Sequence, residues 1–120
     1  MNYLCLVYSE YTEQELGAMP EQELNALISE SLEYDDELRR SGYFVEARAL
    51  QPVETATTVR VRNGRVSMTD GPFVETKEWL SGFILIEARD LNEALQVASK
   101  IPSARYGSIE VRPVRELKRR

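Results

Sequence analysis

Histidine is absent from this 120-residue chain. That removes the usual base from serine and cysteine triads and a favoured ligand from zinc sites, so neither chemistry is expected and no metal site is assigned. Cysteine occurs once, as Cys5, which excludes an internal disulfide. Its place in the apolar run "YLCLVY" makes it a buried small hydrophobe, because a reactive thiol needs exposure and nearby positive charge. No apolar run approaches the roughly 20 residues of a transmembrane helix. The start "MNYLCLVYSEY" has neither a basic leader nor a small-residue cleavage site, so it reads as a first strand, and the expected compartment is the cytoplasm, with no membrane partner. Positive charge is also scarce, with 15 Lys and Arg against 20 Asp and Glu and a net charge of −5. Such a surface repels phosphate backbones, which excludes a nucleic-acid partner. Residues 115–120 form a locally basic tail, but "VRPVRELKRR" lacks the interleaved aromatics that stack on bases and reads as solvated.

What is present suits one domain over residues 1–120, large enough to bury a core without metal or disulfide staples. "YLCLVY" and "GFILIEA" are continuous apolar runs without alternation, as expected of strands covered on both faces. Between Pro20 and Gly42, Leu24, Leu27, Ile28, Leu32 and Leu38 recur at three- and four-residue steps, which predicts a helix with Pro20 in its first turn and Gly42 as its stop. Glutamates at its start and Arg39 and Arg40 at its end match the macrodipole. A second helix is predicted from Asp90, with Glu93 reaching back, to the Ile101-Pro102 step, burying Leu91, Ala94, Leu95 and Ala98. "TEQELG" adds one short helical turn. "FVEARAL" and "SIEVRPV" read as strands with a more polar face.

The clearest local signal is "TVRVRNGRVSM", where Asn63-Gly64 suits a two-residue type I′ turn. Counting outward, Arg62 faces Arg65, Val61 faces Val66, Val59 faces Met68 and Thr57 faces Asp70. The order strand, helix, strand, hairpin, strand, helix, strand is an α+β, ferredoxin-like βαββαβ plan with an inserted hairpin. Two helices shield only one sheet face, so the apolar strands predict a homodimer that covers the other.

After the hairpin comes "TDGPFVETKE". Gly71 permits an unusual backbone angle and Pro72 cannot donate to a ladder, so the pair ends one strand and redirects the chain. Phe73 and Val74 are expected to anchor the turn in apolar packing. Asp70 either accepts backbone N–H bonds in an Asx turn or, desolvated on the apolar face, has a raised pKa and acts as acid or base unless Lys77 or an arginine pairs with it. Arg60 and Arg62, on the opposite hairpin face, either bind an anionic ligand bidentately or pair with Glu46, Glu110 or a second subunit; Arg112 belongs to the same group. Tyr106 offers a phenolic hydrogen bond, and Trp79 and Tyr34 read equally as lining or core.

The run "TATTVRVRNGRVSMTDGPFVETKEWLSGFILIEARDLNEAL", between "MNYLCLVY" and "PSARYGSIEVRPV", resembles the DGPF-domain branch of the YCII-related family, with "TDGPFVETKE" the most specific part. The resemblance implies a ferredoxin-like fold paired into a dimeric α/β barrel with a cleft in each subunit. Some relatives are thought to be enzymes using a histidine and an aspartate, and some DGPF proteins look like companions of extracytoplasmic-function sigma factors. Many members carry a histidine where this chain has Ser31, and some where it has Tyr106; Asp35 or Asp36 could turn inward beside Ser31. Three functions are therefore weighed, none with a cofactor. The first is a dimeric binding or regulatory module for a small organic molecule, contacted by Arg60, Arg62, Ser31, Phe73, Lys77 and Arg112. The second is a cofactor-independent lyase or isomerase in which Asp70 transfers a proton and Arg60 or Tyr106 steadies negative charge. The third is a sigma-factor partner, which requires a large exposed apolar patch outside the dimer surface.

Overall fold

The two most apolar runs become the two central strands of an antiparallel sheet. In a computed structural model describing Met1–Arg120, β1 (Asn2–Ser9) leads through α1 (Glu13–Ala18) and α2 (Glu21–Arg40) to β2 (Phe44–Ala49). A hairpin of β3 (Thr57–Arg62) and β4 (Arg65–Asp70) follows, then β5 (Trp79–Glu87), α3 (Leu91–Ser99) and β6 (Gly107–Pro113). The sheet order is β2-β5-β1-β6, with β3-β4 a separate two-stranded ribbon. This mixed α+β arrangement is compatible with the ferredoxin-like plan, the hairpin being the insertion.

Helix boundaries follow local chemistry. Thr12 and Glu15 form a reciprocal capping box on α1. Pro20 is the N-cap of α2 and not a first-turn residue. At the other end Gly42 donates to Arg39 O (3.2 Å) and Tyr43 to Leu38 O (2.9 Å), the paired bonds of a Schellman cap. Asp90 Oδ1 accepts from Glu93 N–H (2.9 Å), while the Glu93 side chain reaches back to Arg89 N–H.

Strand register sorts side chains onto two faces. Tyr3, Cys5, Val7, Ile84 and Ile86 are buried beneath α2 and α3, with Tyr34, Leu38, Ala94, Val97, Ala98 and Ile101 above them. Burial pushes the Cys5 thiol up to about 11, consistent with an inert core residue. Tyr34 is core: its hydroxyl donates to Val97 O (2.7 Å). The opposite face pairs Leu4 with Leu85 and Leu6 with Phe83, and these are only half-buried. Both-sided cover of the central strands is therefore not achieved within one chain.

The helix stripes also differ from the sequence pattern. On α2 the inward positions are Leu24, Leu27, Ser31, Tyr34 and Leu38, whereas Ile28 and Leu32 are exposed. On α3 the buried set is Ala94, Val97 and Ala98, with Leu91 and Leu95 exposed. Several stripes fit a 3.6-residue period, and contact with the sheet selects among them.

The hairpin register is the expected one, from Thr57 opposite Asp70 to Arg62 opposite Arg65. Asn63 (φ 52°) and Gly64 (φ 73°) turn it. It projects as an arm, so the radius of gyration is 16.6 Å, against about 14 Å for a compact chain of this length. Residues beyond Pro113 form the exposed tail.

Gly107 starts β6 where the backbone of β1 comes closest, and a Cβ there would lie 1.9 Å from the Tyr8 carbonyl oxygen. Gly107→Ala should therefore lower stability by about 1–3 kcal/mol, read as a lower urea midpoint at unchanged slope.

Candidate functional site

The Asp70–Phe73 turn is built by its backbone. Gly71 takes φ +102°, a conformation that side chains resist. Its N–H donates to Ala56 O (2.7 Å) and its carbonyl accepts from Thr58 Oγ1 (2.9 Å), which pins the turn to the base of the arm. Pro72 then sends the chain across the sheet end, and the Thr76 hydroxyl donates to the Glu78 carbonyl before β5 begins.

Beside this turn lies a cavity of about 780 Å³. Gly71, Pro72, Val74, Glu75 and Thr76 form one wall, Val53 and Glu54 a second, and Tyr8, Trp79 and Leu80 the floor. A β-bulge assembles the floor: Val7 pairs with Gly82 but Tyr8 pairs with Leu80, so Ser81 is the extra residue. Without it Ser81, and not Leu80, would lie beside Tyr8. The Trp79 indole donates to Tyr11 O (2.5 Å), and the Tyr11 ring packs 5.4 Å from that of Tyr106. Aromatic faces and the carboxylates of Glu54 and Glu75 give this space stacking surfaces and hydrogen-bond acceptors. Glu78 Oε1, next to Trp79, is buried with no hydrogen-bond partner.

The residues singled out from the sequence distribute unevenly. Asp70 is exposed, and its side chain makes none of the hydrogen bonds expected of an Asx turn. Phe73 is 72% exposed and not packed as expected; the Arg60 guanidinium lies over its ring at 5.7 Å. These two site residues do meet. Arg60 and Arg62 find no carboxylate, since they lie on a hairpin that pairs only with itself; Glu46 is held by Arg48 (2.5 Å) and Glu110 lies 3.9 Å from Arg112. Arg112 thus sits on the open sheet face opposite Leu4. Lys77 is exposed in the loop.

Ser31 and Tyr106 come to one corner through their neighbours, since Arg105 pairs with Glu30 at 2.6 Å. The Arg105 hydrogen bond holds Glu30 below its ordinary pKa. Asp35 is the inward carboxylate of its pair, half-buried one turn beyond Ser31, whereas Asp36 turns out to Arg39 (2.7 Å). Asp70 and Tyr106 line neither the large cavity nor a cleft of about 90 Å³ between α2 and α3. No three Cys, Asp or Glu side chains gather to hold a metal ion. Tyr8, Val53 and Glu54 were not foreseen, because only the bulge and the short helical turn at Val53–Thr55 bring them to Trp79.

Comparison with known proteins places this geometry in context. The profile of a family described as the YCII-related domain matches residues 1–118. An uncharacterized protein of Rhizobium meliloti (strain 1021) is 34% identical over 116 residues, 95% of this chain and 92% of that protein.

Burial raises the Asp35 carboxyl above its ordinary value of 3.8, with Arg39 opposing the shift. A raised acid leaves stability intact below the unfolded pKa and removes some as pH rises through the folded one. Asp35→Asn should therefore raise the melting temperature at pH 7, with the gain vanishing below about pH 4, as followed by thermal melts across that range.

Proposed function

Because this chain belongs to the YCII-related domain family, we propose that it is a homodimeric cytoplasmic binding module that takes a small organic molecule into the cavity floored by Tyr8 and Trp79. Within the family, the Asp70-Gly71-Pro72-Phe73 turn supports the DGPF branch. No helix is long and apolar enough to cross a membrane. The dimer reading, with its barrel of two sheets, rests on the apolar open face. The cavity carries the functional reading: about 780 Å³ is the size of small-ligand sites, which combine apolar walls with a few placed polar groups. Ring faces and carboxylates suit a planar molecule bearing O–H or N–H donors. The lyase or isomerase reading asks Asp70, Tyr106 and an arginine to meet around one ligand atom. Neither the six contacts expected for the binding reading, Arg60, Arg62, Ser31, Phe73, Lys77 and Arg112, nor Asp70 and Tyr106 line the cavity. The binding reading rests on the lining that is there, Tyr8, Glu54, Glu75 and Trp79.

Trp79 is the sole tryptophan, so its fluorescence reports on the cavity floor alone. Phenolics and aromatic amines should quench it and raise the melting temperature over the same concentration range. Binding at 100 times Kd stabilises by about 2.7 kcal/mol. Asp70→Asn should leave both signals unchanged. Absence of any quench or shift from these ligands, or from lactones and small carboxylates, defeats the binding reading; signals lost specifically in Asp70→Asn favour the proton-transfer one.

A second reading, interaction with a sigma factor, is favoured by four leucines and isoleucines exposed on the helical layer, away from the open sheet face. These are Ile28 and Leu32 on α2 and Leu91 and Leu95 on α3, each 46–60% exposed. Leu32→Asp with Leu95→Asp should keep the fold and abolish co-purification with an extracytoplasmic-function sigma factor. Equal recovery with both forms would count against it.

A further inference from the structure

The cavity beside the Gly71-Pro72 turn is one-sided in its charge. Glu54 and Glu75 are the only charged residues of its lining, and they come from separate walls, Glu54 from the short helical turn Val53–Thr55 and Glu75 from the loop after Pro72. Neither is held in an ion pair by a lysine or arginine. Lys77 follows closely in the chain but does not line the cavity. Glu78, next to Trp79 in the chain, adds a further carboxylate, its Oε1 buried with no hydrogen-bond partner.

The hydrogen-bond donors of the lining are spent elsewhere. Trp79 gives its indole N–H to Tyr11 O (2.5 Å), and Thr76 gives its hydroxyl proton to the Glu78 carbonyl. Tyr8 is left as the only lining side chain with a donor to offer. An anion in this space would meet two carboxylates and little to neutralise it, and a neutral molecule would leave their charge unanswered. A cation gains twice. Its N–H groups make charge-assisted bonds to carboxylate oxygens, and the aromatic floor of Tyr8 and Trp79 attracts positive charge to the faces of its rings, tryptophan most strongly. A cleft lined by charge of one sign also concentrates its counter-ions.

We infer that the ligand of this cavity is a planar organic cation of the aryl amidinium or guanidinium class, its ring on Tyr8 and Trp79 and its N–H groups shared between Glu54 and Glu75. The inference rests on the binding reading above and adds to it the sign of the ligand's charge.

Three probes of nearly one shape test it: benzamidine as the cation, benzamide as its neutral counterpart and benzoate as the anion. Melting temperature and Trp79 fluorescence of the full chain should respond to benzamidine at about tenfold lower concentration than to benzamide, and least to benzoate. The advantage of benzamidine should shrink as salt is raised, because Glu54 and Glu75 are exposed. Glu54→Gln with Glu75→Gln should weaken benzamidine binding about tenfold and remove that advantage. Equal responses to the three probes, a stronger response to benzamide or benzoate, or an advantage of benzamidine that persists in the double variant overturns the inference and leaves the binding reading standing. Silence toward all three overturns it as well, and the binding reading falls with it only if the phenolics, amines, lactones and carboxylates are silent too. Should the variant fail to fold, the order of the three probes on the parent chain decides.

Discussion

Everything in this molecule answers to one imbalance: two central strands apolar on both sides, and one layer of helices. β1 and β5 bury Tyr3, Cys5, Ile84 and Ile86 under α2 and α3 and leave Leu4, Leu6, Phe83 and Leu85 without a roof. The helices cannot supply it, since both pack on the same face. The inserted hairpin does not supply it within the chain either, because its pairing is only with itself. The result is a flat molecule, 19 Å in its thin dimension, with apolar surface on its sheet and on its arm. Burying such surface is the largest favourable contribution available to association.

The candidate site arises where that sheet is interrupted. Ser81 and Gly82 break the apolar run of β5, and the bulge there turns Leu80 toward Tyr8. Just before it, the Gly71-Pro72 turn carries the chain over the sheet end and leaves a hollow. Behind the floor, contacts continue from Trp79 to Tyr11, from Tyr11 to Tyr106, and from Arg105 to Glu30 on α2. The positions of Ser31 and Tyr106 are thus joined to the cavity wall by packing and hydrogen bonds without lining it. Asp70 stands apart, exposed at the base of the arm.

Legibility tracked the range of the interactions. The arm's register was readable because Asn63-Gly64 fixes the turn and the two-residue alternation then counts outward. The ends of α2 and α3 were readable because caps are made by neighbours three to five residues away. The stripe of α2 was less so: Ile28 and Leu32 satisfy the period as well as Ser31 and Tyr34, yet only the second pair faces the sheet. The expected packing of Phe73 and burial of Asp70 depended on which surface the loop met, and the loop left both in the open.

The amino-acid sequence by itself determined the order of elements, the hairpin register and the surplus of apolar strand surface, since each follows from bonds and periodicities within a few residues. Tertiary structure alone decided that Tyr8, Glu54 and Trp79 share a cavity, that Asp35 and not Asp36 turns inward, and that Arg60 lies over Phe73. Those outcomes are set by which long-range neighbours compete for a side chain, and that competition is resolved only when strands, helices and loops are packed together.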